Sequence, residues 1–462
     1  MSYPLIIVTA ALLLIAVAVV SREIIRPAGH RDFWAPPLLF SYGLILSSGG
    51  RLLDSFQTEN LVQIIRTIDP SSIPEHTLHF VALYVFMATL AAYLGLYSRL
   101  GTRLGYRIWK SNIIRVATTV PTRHATRAAL LLLAVGIFMY FYLLGQVGGL
   151  QHLWDNLHLR TTLTAGLGYA QTAMRTGLWL GIILLIWVMV QSKWTKRDTA
   201  IIALLAVLIA FMTSSFGGRA PLFSFVIILI MARHYFWKEF SPFSLLTGVI
   251  AFFLLIFFVI VGTARSPDIG FSDLVERPGF VLQEGLQSPT QRIVQRLGSY
   301  TVPVVLVSYF RPDKVWMGKG YRDIIYAPIP RRLYADKPPV DEGVYVLSIA
   351  RGRAVEPGLP ADTYQATAWP PGNWKGFMEW HLPGLLLLSY LGGVLGRAAY
   401  VVLLVSGRNP FWLFIYGGLN TFGVASLSVL GLVGILTTIL GSTLLFFLVR
   451  ALSLSWVQQV LR

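Results

Sequence analysis

The residues of this 462-residue chain best suited to chemistry are arginines. Arg175, Arg219 and Arg265 each stand at one end of a long apolar run, and Arg331 and Arg332 stand side by side within APIPRRLYADKPP, residues 327–339. A guanidinium is always charged and grips phosphate or carboxylate oxygens in bidentate fashion, so these groups suit an anionic ligand. In TSSFGGRAPLF, residues 213–223, Gly217 and Gly218 allow a tight re-entry and Pro221 suits a first helical turn. The helix start would aim free N–H groups at an anion beside Arg219. Snorkelling to lipid headgroups is the plainer reading of any single arginine. Three together favour an anion-binding mouth. In the second segment Pro328, Pro330, Pro338 and Pro339 restrict the backbone around Arg331, Arg332, Asp336 and Lys337. Cations held this way lose little freedom on binding.

Other site chemistry is sparse. The chain has no H-E-x-x-H, Walker loop, G-x-S-x-G or D-x-D pair. His76 and His79 lack a third ligand and read as interfacial residues. The expectation is metal-free chemistry without a cofactor or a soluble nucleoside phosphate. The chain has no cysteine, so disulfides and thiolate sites are excluded.

The elements that must position these groups are membrane helices. Hydrophobic residues make up 55% of the chain and charged residues 13%, which marks an all-α polytopic membrane protein. The net charge of +17 is spread between apolar runs, so nucleic acid is not expected as a partner. About eleven transmembrane helices are expected. They lie near 3–21, 33–50, 77–97, 128–147, 172–191, 199–215, 219–237, 243–264, 380–405, 410–427 and 429–449. The first has no basic n-region and reads as a retained anchor. Every second connection is basic, from Arg22, Arg26 and Arg31 onward. The positive-inside rule therefore places the N-terminus in the periplasm and the C-terminus in the cytoplasm. Segment 99–127 is basic with no acid; it reads as a topology determinant or an interfacial element on anionic lipid.

Residues 265–375 form one large periplasmic loop with 14 Lys/Arg and 11 Asp/Glu, rich in aromatics, which reads as a folded cap. The expected organisation is transmembrane helices in 1–264, the cap in 265–375 and further helices in 376–462. Within the cap, residues 292–310 predict an amphipathic segment dipping to the membrane surface and broken at Pro303.

PIPRRLYADKPP resembles the proline-arginine to lysine-proline segment of the Wzy-type O-antigen polymerases, the bacterial oligosaccharide repeat-unit polymerases. SSFGGRAPLF is similar to their Gly-Ser-Arg-like turn. PPGNWKGFMEWHLPGLLLLSYLGGVLGRAAYVVLL, residues 370–404, looks like their helix returning from the large loop. The chain departs from the family where an acidic residue often precedes an aromatic stretch; here stands Lys375, with Glu379 and His381 a turn later. The resemblance implies polymerisation of polyprenyl-diphosphate-linked oligosaccharide units at the periplasmic face of the bacterial inner membrane. The diphosphate would be held by Arg219, Arg265, Arg331 and Arg332, with Arg175 and Lys337 behind them. Glu379 or His381 would act as base. Asp336 and Glu342 would support the site, and Tyr326, Tyr334, Trp369 and Trp374 would stack on sugars or pack in the cap. Membrane lipids, a chain-length regulator and a flippase are the expected partners. A ligase of finished glycans and a non-enzymatic flippase or transporter remain the alternatives.

Overall fold

The computed structural model describes residues 3–27, 31–56, 76–111, 122–164, 166–216, 219–241, 244, 277, 279, 300–329, 333–364, 369–419 and 424–460. All named elements among them are helical. We number the longer ones in chain order: α1 Tyr3–Ile25, α2 Pro36–Phe56, α3 Thr77–Leu96, α4 Arg99–Lys110, α5 Thr122–Gln146, α6 Gly168–Gln191, α7 Lys196–Ser214 and α8 Arg219–Phe236. Then follow α9 Thr301–Tyr309, α10 Gly343–Ala350, α11 Lys375–Val405, α12 Pro410–Leu419 and α13 Val429–Val460.

Among the described residues, six stretches are long and apolar enough to cross a membrane: Pro4–Ile25, Thr77–Leu96, His124–Gln146, Gly168–Gln191, Lys196–Ser214 and Gly372–Val405. Pro221–Phe236, Pro410–Leu419 and Val429–Leu444 are apolar but shorter. Of the expected run 410–427 the structure describes the helix Pro410–Leu419, and residues 420–423 lie outside the described residues. The expected run 243–264 lies outside the described residues.

The chain forms two compact units. The first combines Met1–Gly105, Thr290–Val401 and Phe422–Ile435, and so draws on the expected helical stretches and on the expected cap. In it, α1 packs on α2 and α3. Helices α3 and α11 meet backbone to backbone: a Cβ on Gly95 would stand 2.1 Å from the Tyr390 carbonyl oxygen, and one on Gly393 2.4 Å from that of Ala92. Small residues permit such closeness where lipid tails offer no hydrophobic drive. Its main core gathers Val305, Leu306, Phe310, Trp316, Tyr345, Phe377 and Met378. Helix α9 contributes to that core. Pro303 does not break α9, because it sits in the first turn, where its missing N–H leaves no gap in the ladder. Residues 292–299 of the expected amphipathic segment lie outside the described residues.

The second unit combines Tyr106–Pro289, Val402–Thr421 and Leu436–Arg462. Its centre is α6 against α5, with α8 and α12 also on α6. Trp179 Nε1 donates to Thr213 Oγ1 at 3.3 Å across α6 and α7. A capping box of Thr195 and Asp198 starts α7.

Candidate functional site

The first unit holds a buried ionic cluster, and the local cause is a break in α11. The helix begins at Lys375, leaves helical geometry at Trp380 (φ −139°, ψ 23°) and His381 (φ 55°, ψ −145°), and contains Pro383. Proline lacks an N–H and disfavours helix at the residue before it, so the chain turns here. The turn folds back on itself: a Cβ on Gly376 would stand 2.2 Å from the Gly384 carbonyl oxygen, and the reverse distance is 2.1 Å. The short turn before the break carries Lys375 and Glu379 at i and i+4, on one face.

Residues Trp316–Gly320 lie over that turn and satisfy its otherwise unpaired carbonyls. Trp316 N–H donates to Met378 O at 3.0 Å and Met317 N–H to Glu379 O at 2.9 Å. Gly318 N–H donates to Glu379 Oε2 at 2.8 Å. The path needs left-handed backbone at Met317 (φ 52°) and Gly318 (φ 85°).

Beneath this cover Lys375 Nζ lies 2.8 Å from Glu379 Oε1 and 3.9 Å from Glu342 Oε1. All three side chains are buried. The lysine also sits over the Trp316 ring at 4.6 Å and the Tyr321 ring at 5.5 Å. Glu342 accepts from the backbone N–H groups of Val429 and Leu430, the first residues of α13. A carboxylate at a helix N-terminus is stabilised by those free donors. Burial pushes the Glu342 carboxyl above its usual range, while Lys375 and the two amides pull it back. Asp323 is buried nearby; Tyr345 Oη donates to its Oδ2 at 2.8 Å, and its Oδ1 has no hydrogen-bond partner. Burial raises this carboxyl too, with the Tyr345 hydrogen bond and Lys375 opposing. One cation thus serves several carboxylates out of water, where an unpaired charge is costly.

Asp323 lies on the 3₁₀ segment Lys319–Tyr326, which leads straight into the proline-arginine segment. There Lys337 Nζ donates to Ala327 O at 3.0 Å and Ile329 O at 2.8 Å. The rings of Tyr326 and Tyr334 meet at 5.7 Å. These contacts join residues 326–329 to Tyr334 and Lys337; Arg331 and Arg332, between them in sequence, lie outside the described residues. Asp336 is exposed on it.

The remaining expected site residues scatter. Arg265 lies outside the described residues, and Arg219 opens α8 in the second unit. Arg175, on α6 in that unit, has a buried Nε without a hydrogen-bond partner. Trp369 and Trp374 pack against the core of the first unit. Trp369 N–H donates to Gly343 O at 3.0 Å. The His381 ring lies against Phe377, tilted by 36° with centroids 4.3 Å apart, and meets Tyr84 edge-on at 6.1 Å.

The structure therefore brings Glu342 and Glu379 together with Lys375, and joins them through one segment to Tyr326, Tyr334, Asp336 and Lys337. It adds Asp323, Gly320 and Tyr321, which the sequence does not single out. Gly320 has a specific reason: a Cβ there would stand 2.1 Å from Glu379 Oε1 and 2.2 Å from Lys375 Nζ. Glu379 is fully enclosed beneath that cover, whereas His381 stands at the break and is only partly buried. No protein-family model, curated protein or solved structure matches the chain.

Proposed function

We propose that the chain is a glycosyltransferase that polymerises polyprenyl-diphosphate-linked oligosaccharide units at the outer face of the bacterial inner membrane. One observation carries the reading most. Residues Trp316–Gly320 cover the Lys375–Glu379 pair, and the 3₁₀ segment that follows leads to Ala327 and Ile329, whose carbonyls Lys337 binds and which stand just before Arg331 and Arg332 in sequence. The cover over the α11 break, where the candidate base His381 stands, thus leads in sequence to the expected anion holder. The resemblance in PIPRRLYADKPP and SSFGGRAPLF supports the same chemistry.

In the proposed step the acceptor sugar hydroxyl attacks the anomeric carbon of the donor glycan. The new C–O bond forms as the bond to diphosphate breaks, and polyprenyl diphosphate departs. His381 receives the hydroxyl proton. Arg331 and Arg332 hold the departing diphosphate, where preorganised cations act on developing charge. Lys375 and Glu379 keep the α11 break rigid beneath the reacting groups. A flippase and a chain-length regulator are the partners this activity would need.

The test is reconstitution of the purified chain in liposomes with the lipid-linked repeat unit extracted from the producing cells. A ladder of integer repeats supports the reading. Arg331→Ala should slow the ladder at least tenfold while the protein still folds. Transfer of a finished glycan to another acceptor would make the chain a ligase. Movement of lipid-linked sugar without a new glycosidic bond would overturn transferase activity altogether.

A further inference from the structure

Trp380 occupies the break in α11. Glu379 before it is buried, yet the indole is 37% exposed. Tyr321 stacks on the ring, with centroids 5.7 Å apart and planes 19° from parallel. The tyrosine is itself fixed, since its Oη donates to Leu427 O at 2.9 Å. Gly318 runs past the ring, where a Cβ would lie 3.6 Å from Cζ2. Met317 beside it is 70% exposed despite a left-handed φ of 52°.

This arrangement is expensive. Left-handed backbone at a residue other than glycine is costly, and it occurs both at Met317 and at His381. Such strain collects where a side chain must be held for a ligand. A tryptophan that only anchors a helix in the membrane interface needs neither a broken helix nor a tyrosine fixed behind it. An aromatic ring face carries partial negative charge and attracts the C–H groups that line one face of a sugar ring. Lys319 and Arg322 are exposed on the adjoining 3₁₀ segment and carry donors of the kind that sugar hydroxyls accept.

We propose that the face of Trp380 turned away from Tyr321 is a platform for one sugar ring of the glycan, with Tyr321 as its support. The inference rests on the glycosyltransferase reading and adds a sugar subsite to it.

The experiment titrates the full chain in lipid nanodiscs with lipid-free repeat-unit oligosaccharide, released from the surface polysaccharide of the producing cells, and reads affinity by calorimetry. Trp380→Ala and Trp380→Leu should each weaken binding about tenfold, while Trp380→Phe, which keeps a ring, should weaken it about threefold. The leucine variant preserves apolar bulk, so its loss reports the ring face and not packing. Wild-type affinity in the folded leucine variant overturns the platform. So does a loss of thermal stability in nanodiscs with unchanged glycan affinity, which would make the indole a membrane anchor. The ladder assay separates the two readings. A wild-type ladder with glycan affinity indifferent to position 380 sinks the platform alone. Glycan binding without a ladder sinks the transferase reading alone, and neither binding nor ladder sinks both.

Discussion

Lys375 Nζ and Glu379 Oε1 lie 2.8 Å apart with neither side chain exposed. The ammonium is the cation between Glu379 and Glu342, so its removal leaves two buried carboxylates facing each other. Breaking a buried pair from one side costs about 3–5 kcal/mol, far more than the pair contributes over an apolar replacement. Lys375→Met should therefore lower the melting temperature of the detergent-solubilised protein sharply. Lys375→Met combined with Glu379→Met should recover part of the loss. Equal melting of wild type and Lys375→Met would refute this account of the cluster.

Gly320 tests the same cluster from its cover. An alanine methyl would meet the Glu379 and Lys375 head groups, and also Trp316 Cε3 at 2.9 Å. Flexible side-chain ends normally step aside, but here they would have to give up their ion pair in a dry site. Gly320→Ala should destabilise by about 1–3 kcal/mol, in the range of overpacked cores. Gly318→Ala should be strained for a different reason, its φ of 85°. Melting curves of the two variants, each with and without Lys375→Met, distinguish the causes: only the Gly320 effect should shrink when the lysine is gone.

How far the sequence foretells this site depends on the distance between partners. The apolar runs are legible because each lies in one window, and Lys375 and Glu379 are legible as an i, i+4 pair. Glu342 finds its donors at Val429 and Leu430, and Asp323 finds Tyr345, and no local pattern announces pairs so far apart. Pro303 shows the opposite failure. The same residue reads as a breaker inside a helix and as harmless at its start, and the helix that carries Val305 and Leu306 into the core starts at Thr301, two residues before the proline. The fold-back of α11 likewise needs Pro383 and the glycines at 376 and 384 together.

Lys337 ties the loop with two carbonyl contacts, so the transferase reading makes it a positioning residue for Arg331 and Arg332. Lys337→Met keeps the aliphatic length and removes the donors. It should lower ladder formation several-fold, with the loss in turnover at saturating substrate as well as in KM. Lys337→Arg, which restores donors to the carbonyls, should recover much of the rate. Rescue by arginine with no rescue by methionine is the pattern a mere charge effect at a distance would not give in high salt. Wild-type kinetics in Lys337→Met would remove the lysine from the mechanism.

Asp323 makes stability depend on pH in a predictable direction. Burial raises its carboxyl above the usual range, so the folded chain holds a proton that the unfolded chain releases near pH 4. The stabilisation is fully present below that pH and is lost as pH rises through the higher folded value. Asp323→Asn removes the ionisation while its amide oxygen still accepts from Tyr345. The melting temperature of the variant minus that of wild type should therefore grow as pH is raised from about 4 to about 8. Glu342 carries a shift of the same sign and remains in both proteins, so the difference isolates Asp323. A difference that shrinks with rising pH would mean that Asp323 is ionised in the folded state and held there by Lys375.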